Sequence, residues 1–368
     1  AAQRSRRLGL HSPPLLLLKR QANSSCVAMQ LRLRSGAEFF LDGLIVENIL
    51  LHLSSADLLS ICATCKSLLC PAQAAAHRLL ILLAGSLKCC LLRHCERGTW
   101  IAQLREWEVV KSSNLVWLCG DKSTCILATQ GEQQFVKCCV DQSGHGNSAH
   151  MYMRMPAYKP EAINGLGAME FDGASVLKTR PFAEPLPQPI TLMVVARARG
   201  DTTIIDSLGP NSSRFELCHG YPSGWHPSPE ICMTASGHDM SPKHSLRGST
   251  RGTGDWHIYT AIFDQRRSEV FVDGYCEAAG KNVGANSLDG LSIGCDHNGI
   301  FFLIGSLAEI RLYRTHLPTQ QRIMLEASLA QQYGLTYSAT RDVPGSSKVV
   351  GRFTCAPLRA SRTSDDAL

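Results

Sequence analysis

The chain of 368 residues has no apolar run long enough to cross a membrane. A spanning helix needs about 20 largely apolar residues. The richest stretch, Leu79–Ala84, is bracketed by His77, Arg78 and Lys88. Leu15–Leu18 is too short for the apolar region of a secretory signal. Gly290-Leu291-Ser292-Ile293-Gly294 has the Gly-x-Ser-x-Gly spacing, but 291–294 reads as a strand with no helix pattern after it, so no nucleophile elbow is read there. No Glu-x-Asp-x-Glu triplet occurs, so no strand lines up carboxylates on one face in that pattern. Internal repeats are absent as well.

Acidic side chains are missing from residues 1–37, which carry seven basic ones and hence a charge of +7. Residues 336–368 carry +2, so the overall +6 leaves the middle of the chain at −3. Basicity lives in the tails, and the folded part offers no case for nucleic acid as a partner. An Arg-rich, acid-free start suits an organellar transit peptide. The chain begins at Ala1, and Met29 is an alternative first residue.

The 16 cysteines do not read as a disulfide framework. They are spread over a long chain and often adjacent, as in Cys89-Cys90 and Cys138-Cys139, and neighbours on a strand face opposite ways. Reduced thiols used as small hydrophobes in a reducing compartment are the expectation. Cys62-x-x-Cys65 has zinc-ligand spacing, but only Cys89, Cys90, His94 and Cys95 lie near enough in sequence to complete a set, so burial outweighs metal.

Two helical patterns meet at a capped break in residues 41–69. Ile45, Ile49 and Leu53, with Leu50 beside them, form one stripe, and Leu58, Ile61, Cys62, Cys65 and Leu68 form the next. Ser55 is placed to cap the second helix and Asp57 sits in its first turn. Leu44, Val46, Leu51 and Leu59 widen the apolar surface beyond what so short a hairpin buries by itself. Residues 72–83 and 99–110 continue as helical patterns.

From Leu115 the chain changes to short β-rich runs between Gly and Asp turns. Candidate strands are 115–118, 125–128, 135–139, 168–171, 191–198, 202–207, 214–218, 231–234, 257–263, 269–272, 291–294 and 306–313. Such a series predicts a sandwich or barrel. A helix opening at Pro318-Thr319, with Ile323, Leu325, Leu329 and Tyr333 apolar and Gly334 as its stop, closes the domain.

Residues 41–69 resemble an F-box. Leu41, Ile49-Leu50, Leu53, Asp57-Leu58-Leu59 and Cys65-Lys66 fall in step with that pattern, while Asp42, Thr64 and Leu68 replace its usual Pro, Val and Trp. The resemblance implies docking onto the adaptor subunit of a cullin-based SCF ubiquitin ligase through Leu41, Ile45, Ile49, Leu50, Leu53, Leu58, Leu59, Cys62, Cys65 and Leu68. Residues 115–335 resemble the concanavalin A-like, laminin-G-type jelly roll. The carriers are Val116-Trp117-Leu118, the turn Asp141-Gln142-Ser143-Gly144-His145-Gly146-Asn147, Asn164-Gly165-Leu166, Phe171-Asp172-Gly173, residues 270–274, 291–294 and 305–313, and the closing run 330–335.

The expected fold class is therefore α+β in two modules: a small helical F-box-like module, then an antiparallel β-sandwich closed by one helix. The expected boundaries are a disordered basic segment 1–37, helices 38–70, a helical linker 71–112, the sandwich 113–335 and a disordered tail 336–368. Some proteins of this broad fold cleave glycosidic bonds, which takes two carboxylates roughly 5–5.5 Å or more apart. Glu269 and Asp273 share a strand face, but Asp273-Gly274 reads as a turn and Glu269 as a strand start, so the protein is read as no enzyme, with no cofactor. Asp141, Asp172, Asp206 and Asp273 could hold calcium but each has a turn role, so no metal is expected.

Target-binding candidates are Tyr221, Trp225 and His226 in a Pro- and Gly-rich loop, and His297 and Asn298 in a second one. The resulting expectation is the substrate-recognition subunit of an SCF-type ligase in cytoplasm or nucleus. Its partners would be the adaptor, the cullin complex and a protein or glycoprotein target, with no nucleic acid and no membrane. The rival expectation is a glycan-binding or glycan-cleaving sandwich without a ubiquitin role.

Overall fold

The structure is a computed structural model, and it describes residues 31–32, 38–39, 109–209, 214–220, 229–236 and 242–338. The F-box-like stretch 41–69, the helical patterns at 72–83 and 99–108, and the tail beyond 338 lie outside the described residues. The chain divides into two units, one built from residues 1–85 and 93–108, the other from 86–92 and 109–368. In the first, β1 (Leu31–Arg32) pairs antiparallel with β2 (Glu38–Phe39).

The second unit is an antiparallel β-sandwich whose two sheets run into each other at one end. Its strands are β3 (Asn114–Cys119), β4 (Cys125–Gln130), β5 (Gln133–Cys139), β6 (Ala149–Met151), β7 (Ala157–Ile163), β8 (Leu166–Asp172), β9 (Leu177–Lys178), β10 (Ile190–Arg199), β11 (Thr202–Asp206), β12 (Glu216–His219), β13 (Glu230–Thr234), β14 (Ser245–Arg251), β15 (Thr253–Phe263), β16 (Ser268–Val272), β17 (Tyr275–Lys281), β18 (Ser292–Ile293) and β19 (Ile304–Tyr313). The back sheet runs β7-β8-β19-β10-β15-β16-β17. β3 pairs with the second half of β19, beyond the stretch taken by β8. The front sheet runs β6-β9-β18-β11-β12-β13-β14. β5 pairs with both β6 and β7 and so links the sheets.

Alternation along the strands sorts side chains to the two faces. In β10, Ile190, Leu192, Val194, Ala196 and Ala198 enter the core. In the front sheet, Leu177, Ile293, Ile205, Leu217, Met233 and Leu246 follow one another across the ladder and meet them. Two hairpins turn on residues that both have positive φ, Asn164-Gly165 and Asp273-Gly274, as a tight turn matched to the strand twist requires. The turn from Asp141 to Asn147 is fastened differently. Asp141 accepts from the backbone N–H of Trp117, Ser143 and Asn147 at 2.8–2.9 Å, and the Asn147 amide donates to the Leu115 carbonyl at 2.9 Å. The Asp, Ser and Asn of that run are there to pin the turn to β3.

The helix α1 (Thr319–Tyr333) follows Pro318 and stops at Gly334, whose φ of 64° supplies the left-handed cap. Its buried side chains include Leu325, Leu329 and Tyr333, as the sequence pattern predicts. Polar contacts fix it to the back sheet: Tyr333 donates to Glu309 at 2.6 Å, and Arg322, paired with Glu326, lies over the Phe271 ring at 3.6 Å. Among the described residues no helix is long and apolar enough to cross a membrane.

Candidate functional site

The outer face of the front sheet carries the polar side chains that the core face lacks. His150, Lys178, Ser292 and Asp206 stand side by side on four neighbouring strands. Because Ile205 opposes Leu217, Asp206 is followed by Glu216, and Glu216 in turn opposes Thr234. This row changes character along its length. It is open to solvent at β6 and closed from β18 onward.

The closed part is a cluster of five ionisable side chains. Arg214, just before β12, donates to Asp296 at 3.2 Å and stands 3.5 Å from Glu216. Thr203 donates to the other Glu216 oxygen at 2.6 Å. One oxygen of Asp206 accepts from the backbone N–H of Ser207 at 2.8 Å and of Phe215 at 2.9 Å. Its other oxygen accepts from both the backbone N–H and the ring Nδ1 of His297, each at 2.9 Å. That contact fixes the proton on Nδ1. Asp296 also accepts from the Ile300 N–H at 2.7 Å, which closes the loop after β18.

Asp206, Glu216 and Asp296 are all at 0% exposure. Burial, and next the charge of Asp206, push the Glu216 carboxyl up to about 8, against the opposing pull of Arg214 and Thr203. A 3.5 Å ion pair with Arg214 would argue the other way. The geometry favours the neutral acid: Glu216 Oε2 has no hydrogen-bond partner, and the guanidinium makes its shorter contact to Asp296. A bare, desolvated carboxylate oxygen is far costlier than a bare hydroxyl.

The open part holds Tyr152, 62% exposed, directly after β6. The Lys178 ammonium lies 3.9 Å from its ring centroid. Met151 and Met153 on either side are exposed as well, and Arg154 pairs with Asp172 at 3.2 Å. An exposed aromatic ring backed by a cation on one face leaves its other face free for a ligand.

Of the residues singled out in the sequence, Tyr221, Trp225 and His226 lie outside the described residues. His297 is placed in the closed cluster, its side chain 5% exposed and bound to Asp206. Asn298 is at the surface, with its amide 3.5 Å from Asp296. Glu269 and Asp273 do not form a pair: Asp273 accepts from the His257 ring at 2.7 Å and from the Ile258 N–H at 2.8 Å. Burial raises the Glu269 carboxyl. The four aspartates weighed for calcium are separately engaged, Asp172 by Ser175 at 2.7 Å and the others as above. Among the described residues no group of His, Cys, Asp and Glu has the makings of a metal site. The eight described cysteines are all free thiols.

No family model matches the chain, and no curated protein matches it. Among solved structures the chain is similar to domain 4 of an extracellular arabinanase from Geobacillus stearothermophilus in complex with arabinotriose. That likeness has a TM-score of 0.42 and 15% identity, over 58% of this chain and 98% of that one. It is similar to a sialidase of Trypanosoma rangeli in complex with sialic acid, at a TM-score of 0.40 and 11% identity, over 63% of this chain and 38% of that one. A third is the binding domain of botulinum neurotoxin DC in complex with SialylT, at a TM-score of 0.40 and 11% identity, over 63% of this chain and 54% of that one.

Proposed function

We propose that the sandwich is a non-catalytic receptor for a carbohydrate-bearing ligand, a free glycan or a glycoprotein, which docks on the open end of the front face around Tyr152. The observation that carries this reading is the Tyr152 ring, exposed to solvent with the Lys178 ammonium 3.9 Å from its centroid. A pyranose presents an apolar C–H face that packs on an aromatic ring, while its hydroxyls seek donors and acceptors at the rim. Lys178 and the neighbouring His150 supply them, and the ammonium favours ligands that bear a negative charge. Binding is preferred over cleavage because Asp206, Glu216 and Asp296 are shut off from solvent and held by backbone and side-chain partners. Glycoside cleavage needs two carboxylates that reach the bond.

The test is a glycan-array screen of the full chain followed by calorimetry on the strongest hit. Tyr152→Ala is expected to weaken binding at least tenfold, about 1.4 kcal/mol, without moving the melting temperature. Lys178→Gln is expected to weaken acidic glycans more than neutral ones. A wild-type chain that binds no glycan, or a Tyr152→Ala chain that binds as well as wild type, overturns the reading. Recruitment of an SCF-type adaptor by residues 41–69 is a separate proposal resting on the sequence pattern alone. Co-purification of the adaptor with wild type and with Ile49→Asp/Leu53→Asp tests it, and equal recovery with both would sink it.

A further inference from the structure

The β4–β5 hairpin sets Cys125 directly opposite Cys139. Val140 N–H donates to the Thr124 carbonyl at 2.8 Å, so the rung before the two cysteines is a hydrogen-bonded one. The cysteine rung is then of the other kind, in which opposed Cα atoms come to about 4.5 Å and the side chains approach most closely. A disulfide needs roughly 4.4–6.8 Å between Cα atoms. The two sulfurs are aimed at one point: Cys125 Sγ is 3.5 Å and Cys139 Sγ 3.2 Å from the same acceptor, the Cys119 carbonyl oxygen. Cys119 itself turns its thiol toward the Tyr333 hydroxyl at 3.8 Å and stays out of the pair. Cys139 is buried, whereas Cys125 is partly exposed. Of the two, Cys125 is thus the residue nearer solvent, with Cys139 behind it in the core.

We propose that Cys125 and Cys139 are a redox modification site, at which a peroxide converts the two thiols into a cross-strand disulfide that staples β4 to β5. The Cys125 thiolate attacks a peroxide oxygen, the O–O bond breaks, and the products are Cys125 sulfenic acid and an alcohol, or water when the oxidant is hydrogen peroxide. The Cys139 sulfur then attacks the Cys125 sulfur. The S–S bond forms as the S–OH bond breaks, and the hydroxyl leaves as water with the Cys139 proton. Two thiols are oxidised by two electrons and one peroxide is reduced. The roles agree with the local chemistry: the neighbouring Cys139 thiol lowers the pKa of Cys125 against the effect of burial, while Cys139 is held high by Cys125 and by burial. β5 pairs Cys139 with Ala149, one residue from His150, but the assignment does not rest on the ligand reading.

A second rung gives a built-in comparison. Cys218 opposes Cys232 across β12 and β13, but both are fully buried. Gly220 N–H donates to Glu230 O at 2.9 Å, which makes the Cys218–Cys232 rung the wider, hydrogen-bonded type, about 5.5 Å between Cα atoms.

The experiment uses the reduced full-length chain, treated with hydrogen peroxide, alkylated and digested with trypsin. Cleavage after Lys122 and Lys137 separates the partners into peptides 123–137 and 138–154. The expected result is one disulfide-linked species of these two peptides, removed by a reductant. It should survive Cys138→Ser and vanish in Cys139→Ser and in Cys125→Ser, with both reduced variants melting as cooperatively as the reduced wild type. No linked species in the wild type, or a link that persists in Cys139→Ser, overturns the assignment. A Cys218–Cys232 link forming as fast as the Cys125–Cys139 link would overturn the claim that access to Cys125 selects the site.

Discussion

Glu216→Gln separates two incompatible accounts of the closed cluster. If Glu216 is an ion-pair partner of Arg214, the amide deletes a buried charge and leaves the guanidinium short of one. Breaking a buried pair in this way costs about 3–5 kcal/mol at any pH where the pair is charged. If Glu216 is held as the neutral acid, the amide nearly reproduces it, with Thr203 still donating to the side-chain oxygen, and little is lost. The pH dependence then carries the signature. Below the ordinary value of 4.5 both folded and unfolded chains keep the proton. Between 4.5 and about 8 the unfolded chain releases it while the folded chain retains it. Wild-type stability therefore falls across that window, by about 1.4 kcal/mol for each pH unit. Above it the deficit is constant. Because the group is buried and shares its field with Asp206, the whole effect is on the order of 3–5 kcal/mol.

The Gln variant lacks this titration. Its stability relative to wild type is expected to rise by that amount between pH 5 and pH 8.5, from near parity to a clear gain. Urea unfolding of both full-length chains, followed by tryptophan fluorescence at the two pH values, measures it. Taking the difference between the chains removes the contributions of the histidines and other carboxyls. A variant destabilised equally at both pH values would refute the neutral acid and restore the ion pair.

Two further outcomes are expected. Gly284 has a φ of 103°, and an added Cβ there would come to 2.0 Å from the Ala235 carbonyl oxygen, so Gly284→Ala should cost about 3 kcal/mol in urea unfolding; a cost under about 0.5 kcal/mol would mean the Ala235 segment gives way. At His257, burial works against the charge but Asp273 wins and raises the ring's pKa. The stability this pair adds is present at acid pH and is lost as pH rises through the raised value, so His257→Gln should cost about 1 kcal/mol near pH 5.5 and less at pH 9. A larger cost at pH 9 would reverse the assignment.

The strands were legible because their outer and inner residues alternate. Ala308, Ile310 and Leu312 against Glu309, Arg311 and Tyr313 is a period of two, and β19 runs through all six. All twelve runs expected from the sequence correspond to strands in the structure. Those missed in the sandwich are short or interrupted: β6 and β9 have only two or three residues, β7 carries Pro160 and a positive φ at Glu161, and β14 and β17 are polar and Gly-containing at the edge. The site was not legible, for a different reason. Asp206 and Glu216 end and begin their strands, where an acid ordinarily reads as a solvated turn residue, and Asp296 and His297 lie in an Asp-His-Asn-Gly loop that reads the same way. Only register brings them together: Asp206 opposes Ser292, and Ile205 opposes Leu217. One local signal was available, the Arg214-Phe215-Glu216 alternation, which puts two opposite charges on the same face of a strand whose other face is core. Pattern alone assigns that face to water, because it carries no information on what lies above a sheet. Tyr152 escaped for the converse reason. It follows a three-residue strand with no turn signature, so nothing in its neighbours marks it as a platform until Lys178, two strands' length away in sequence, is laid over its ring by the β6–β9 ladder.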